Sequence, residues 1–179
     1  LKVMEEPPEG VLFLLTADSL AGVLPTIRSR CVSFAIAPVS PVDCARYCTA
    51  HGVDKKTAAL YSELFDGHIG TVLTAARDKA RTEQVDKAME LARAAQAGDS
   101  YTAAVLLAPY EKDKAGAAAL LRDLRAVAAA GLQGSPHAPV QGQQAQRTLR
   151  LAEAAIQRLG AQVNPKIVLT VFAARLAHA

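Results

Sequence analysis

Two arginines, Arg28 and Arg30, stand close together in the stretch Leu24-Pro25-Thr26-Ile27-Arg28-Ser29-Arg30-Cys31. A guanidinium is planar, permanently charged and rich in donors, so it suits carboxylates and phosphate oxygens. Two readings follow from the residues alone: surface ion pairs, or a cation offered to an anionic group elsewhere. Glu5-Glu6 reads as a solvated helix end rather than a catalytic pair of acids. Cys44, Cys48 and His51 fall at i, i+4 and i+7 on one helical face. That spacing admits a metal site, yet no fourth ligand is evident, and buried thiols are the plainer expectation. His68, His137 and His178 fall in turns or at the terminus. No Gly-rich phosphate loop, acidic metal pair or nucleophile–base set completes an active site.

These residues must be carried by a mostly helical chain. The 179 residues suffice for one or two small domains, and alanine and leucine dominate while aromatics are few. The net charge of +3 is weak evidence for nucleic-acid binding. Three cysteines without disulfide spacing point to a reducing, cytoplasmic setting. No apolar run approaches the roughly 20 residues that span a bilayer, so no membrane partner is expected. Lys2, Glu5 and Glu6 interrupt any apolar leader. Leu1, not Met, opens the sequence inside what reads as a helix, so the chain is taken as a piece of a longer protein.

The elements follow from pattern. Residues 1–4 read as a last helical turn, stopped by Pro7-Pro8. Val11 to Leu15 is a continuous apolar run, expected as a buried parallel strand whose polar exit is marked by Thr16 and Asp18. Such a strand needs neighbours beyond this sequence or from another chain. Residues 19–24 and 26–30 read as short helical pieces around Pro25, and the alternation over 31–36 reads as a second strand. Ala37 to Pro41 is a linker ending in the N-cap Ser40. Helices are expected over 41–51, 55–65 and 69–80, then over 83–96, 101–110, 112–130, 143–159 and from Pro165 onward. Gly131 is expected to end one of them, and the Gly-, Pro- and Ser-rich loop 133–141 to be mobile.

Taken in order, a leucine–lysine start, Glu5-Glu6-Pro7-Pro8, an apolar strand and then Leu24 to Cys31 resemble the end of the ATPase domain of bacterial DNA polymerase III clamp-loader subunits, members of the AAA+ family. The resemblance implies a mainly α fold with three parts. Residues 1–37 would be a small remnant of an α/β AAA+ domain, 38–80 a three-helix lid, and 81–179 an all-α helical collar that mediates oligomerisation. It is close over 1–38 and weaker beyond. It implies that Arg30 of the motif Ser29-Arg30-Cys31 is an arginine finger acting on a neighbouring subunit's ATP, and that Thr16 stands at the sensor-1 strand tip. Ala17 departs from the polar residue often found beside that tip. Gly67 to Leu73 resembles the start of the sensor-2 helix, with Gly70 where ATP-binding subunits carry arginine. The resemblance is therefore to the delta-prime type more than to gamma/tau. No cofactor is expected in this piece, the ATP being bound by partner subunits. The implied partners are gamma/tau, delta, the sliding clamp and primed DNA. The implied function is ATP-driven clamp loading in DNA replication, as part of a DNA-directed DNA polymerase holoenzyme (a nucleotidyltransferase). A gamma/tau-type subunit that binds ATP itself, or a helical adaptor unrelated to replication, are the alternatives.

Overall fold

The computed structural model describes residues 2–17, 19–37 and 39–177. The expectations that touch Leu1, Asp18, Pro38 and His178 lie outside the described residues. The fold is mainly α: ten helices and two 3-10 turns, with no strand among the described residues. The chain separates into two compact units, Leu1–Ala37 and Pro38–Ala179.

The first unit holds α1 (Lys2–Glu5), a 3-10 turn (Leu20–Gly22) and α2 (Pro25–Arg28). Both expected strands are corrected here: 11–16 and 31–36 are coil without ladder hydrogen bonds. The reason is physical. A strand is stabilised by pairing, and no described segment pairs with either. Their apolar side chains are consequently exposed, Leu14 at 86% and Ile36 at 93%. No residue of 3–37 whose burial is described is buried.

The second unit begins with α3 (Pro41–Ala50), α4 (Lys55–Leu64) and α5 (Ile69–Arg77). Ser40 accepts the Asp43 N–H at 3.1 Å, and Asp54 accepts those of Lys56 and Thr57, so orphan donors of two helix starts are satisfied. Between α4 and α5 the chain turns through Asp66 and Gly67, both at positive φ. A Cβ at Gly67 would stand 1.8 Å from the Val39 carbonyl oxygen, so only glycine lets the incoming linker lie on this turn.

Five helices follow: α6 (Lys79–Ala97), α7 (Ser100–Leu107), α8 (Lys114–Leu132), α9 (Gly142–Gly160) and α10 (Pro165–Ala177). The expected helix over 69–80 stops at Arg77 because extended Asp78 caps α6 instead, accepting the Ala80 N–H at 2.9 Å. That cap starts α6 four residues before the expected position. Gly131 does not end α8. It lies within the last turn, where the Val140 carbonyl oxygen comes so close that a Cβ would meet it at 1.9 Å. Nor is 133–141 loose. Ala138 and Val140 are buried, and the Gln141 side chain donates to the Ser135 and Ala138 carbonyls.

One apolar core runs through this unit from Cys44 to Leu176. The stripes Val85, Ala88, Met89, Ala92 of α6 and Leu120, Leu121, Leu124, Val127 of α8 lie inside it, as their 3.6-residue period requires. α8 packs most extensively on α9, while α4 reaches α8 and α5 reaches α6.

Candidate functional site

Arg30 is positioned by a single helical turn. Leu24 is extended (ψ 138°), as a residue before proline must be, and Pro25 opens α2 at its first position. Ser29 closes the turn, its N–H donating to the Pro25 carbonyl at 3.0 Å. Four residues on from Thr26, the Arg30 side chain folds back so that Nη1 donates to the Thr26 carbonyl at 2.8 Å. The Ser29 hydroxyl donates to the same carbonyl at 3.2 Å. Such carbonyls at a helix end lack intrahelical partners, and a cation there is favourable. The other terminal nitrogen, Nη2, lies 2.5 Å from Glu5 Oε1.

The guanidinium therefore sits between a backbone carbonyl of α2 and a carboxylate of α1. Its side chain is 36% exposed and that of Glu5 43% exposed. At this exposure the Coulomb gain is screened, and the pair contributes about 0–1 kcal/mol. Among the side-chain hydrogen bonds and ion pairs of the described residues, Glu5–Arg30 is the one that joins parts of the first unit distant in sequence. The other expected site residues are dispersed. Thr16 is exposed in the coil and Cys31 is half-buried with a free thiol. No hydrogen bond among the described residues brings either side chain to Arg30. Arg28 is exposed.

Cys44 and Cys48 are fully buried. Burial and the adjacent Cys44 push the Cys48 thiol up to about 11. The His51 ring stacks on Tyr47 at 4.0 Å and its Nδ1 lies 2.8 Å from the Tyr47 carbonyl. Among the described residues, no group of three or more His, Cys, Asp or Glu side chains is arranged to hold a metal ion.

Pattern reading missed one buried polar cluster. Arg81 of α6 forms a bidentate pair with Asp123 of α8, the Nη2–Oδ1 distance being 2.5 Å, and Gln84 donates to Asp123 Oδ2 at 2.6 Å. Asp123 is only 5% exposed. The Arg81 guanidinium also lies 5.7 Å from the Phe65 ring centroid. Hydrogen bonding to Asp123 holds Arg81 above the usual arginine range, which keeps the guanidinium charged at every ordinary pH. The available signal was an aspartate inside an apolar stripe, between Leu121 and Leu124. A cleft of about 420 Å³ lies nearby, lined by Glu63, Asp66, His68, Thr71, Arg125 and Gln133 among others. Gly70, in the first turn of α5, is exposed, and a Cβ there would meet nothing within 4 Å.

Residues 1–40 match a family model described as DNA polymerase III, delta subunit. The matched stretch contains Glu5, Thr16, Ser29, Arg30 and Cys31, and it supports a DNA polymerase III clamp-loader-related family. No curated protein and no solved structure matches the chain significantly.

Proposed function

We propose that this chain belongs to a delta-prime-type subunit of the DNA polymerase III clamp loader and lends Arg30 in trans to ATP bound by a neighbouring subunit. The observation that carries this reading is the family match over 1–40, which encloses the whole Leu24–Cys31 stretch. Arg30 sits at the surface rather than in the core, so its guanidinium is accessible to another molecule. In that role it stabilises charge on the transferring phosphoryl group, an effect worth roughly 10³–10⁵ in rate in GTPases. Ser29 steadies the turn that carries it, and Thr16 takes the sensor-1 place.

In this reading residues 1–37 are the AAA+ remnant, 38–80 the lid and 81–179 the collar, in a cytoplasmic assembly with gamma/tau, delta, the sliding clamp and primed DNA. Gly70 favours delta-prime over gamma/tau. The position has open space for a long side chain, yet glycine offers no group to a phosphate. The test is Arg30→Ala in the complete protein, assembled with its partner subunits. DNA-stimulated ATP hydrolysis is expected to fall by at least about tenfold, and an unchanged rate removes the finger assignment.

A further inference from the structure

We propose that Glu5 is a positioning residue for Arg30, fixing where the guanidinium points before it meets a partner's nucleotide; this rests on the finger reading above. No residue of 3–37 with described burial is buried, so no apolar core locks the arginine's rotamer. Polar contacts do. Nη1 donates to the Thr26 carbonyl at 2.8 Å and to the Ser29 hydroxyl oxygen at 3.4 Å, while Glu5, far off in sequence, takes Nη2 at 2.5 Å. Acceptors on both nitrogens define the guanidinium plane, which acceptors on Nη1 alone leave freer to turn about the last side-chain bonds. A guanidinium carries five N–H donors, so the remaining ones stay available to phosphate oxygens. Glu5 thus acts through Arg30 and does not touch the nucleotide.

The experiment measures steady-state DNA-stimulated ATP hydrolysis by loader assembled from complete subunits, normalised to assembled complex. The variants are Glu5→Ala, Glu5→Gln, Arg30→Ala and the double variant Glu5→Ala/Arg30→Ala. Glu5→Ala is expected to lower kcat about fivefold, the factor a surface ion pair supplies at the upper end of its range, with KM for ATP within about twofold. Glu5→Gln keeps a carbonyl acceptor and is expected to restore at least half of the lost rate. In the Arg30→Ala background, Glu5→Ala is expected to cost nothing further, because its effect passes through the arginine. A Glu5→Ala rate equal to or above that of the parent overturns the proposal while leaving the finger intact. So does a Glu5→Ala loss that persists undiminished without Arg30. An unchanged rate for Arg30→Ala overturns the finger reading, and this proposal with it.

Discussion

Residues 41–177 wrap eight helices around one shared apolar core, whereas residues 3–37 leave Leu12, Leu14, Phe34 and Ile36 more than four-fifths exposed. The same side-chain chemistry thus has opposite outcomes in the two units. In the second, leucines recur at 3.6-residue spacing, so each helix presents a stripe that a neighbouring helix covers. In the first, apolar residues follow one another from Val11 to Leu15 without interruption, which suits a strand covered on both faces, and the described residues supply no cover. The polar contacts that organise the described residues of the first unit are local turns and one carboxylate–guanidinium pair. Hydrophobic burial is not weakened by Debye screening, while an exposed ion pair is. The candidate finger is therefore held by the more responsive of the two kinds of force.

Matched truncations sharpen that contrast most. Leu124→Ala empties a fully buried position and is expected to lower unfolding free energy by about 3 kcal/mol in a urea titration, whereas Leu14→Ala should change it by less than about 0.5 kcal/mol. Equal effects would break the comparison. Next in size is Asp123→Ala, which strands the partly exposed Arg81 guanidinium against Phe65 and should cost about 2 kcal/mol by the same assay. A pH series gives a third, comparable effect confined to alkaline conditions. The folded Cys48 thiol titrates near 11, against about 9.0 unfolded, so the folded state holds its proton more tightly. Its contribution is complete below pH 9 and is lost as the pH rises toward 11, a decline of roughly 2 kcal/mol. Tyr61, also raised by burial, acts in the same direction. Cys48→Ala should flatten the decline, read as the urea midpoint against pH.

The second unit was largely legible from its sequence because its signals are local. Ser40, Asp54 and Asp99 announce helix starts within three residues of the donors they satisfy, and the stripes announce which faces turn inward. Asp78 escaped notice as a cap because the helical periodicity runs across it on both sides. The coil of 11–16 and 31–36 was not legible in the same way, since whether an apolar run becomes a strand depends on a partner that the run itself does not encode. Glu5 and Arg30 were each noticed, the glutamate as a solvated helix end. Their meeting depends on how a coil between two short helices returns, and no spacing rule reports that. The Arg81–Asp123 pair was hidden for the same reason, although a carboxylate within a leucine stripe marks a place where a distant cation is required.

The loop between α8 and α9 carries one more consequence. Its glycine, prolines and serine advertise an open connection, but Val140 is sealed inside and its carbonyl presses on Gly131. A protease seeking slack chain to draw into its cleft finds none there and is directed instead to the exposed coil before the 3-10 turn, at a distance in sequence from every core helix. The composition of a segment and its susceptibility to cutting are here reversed.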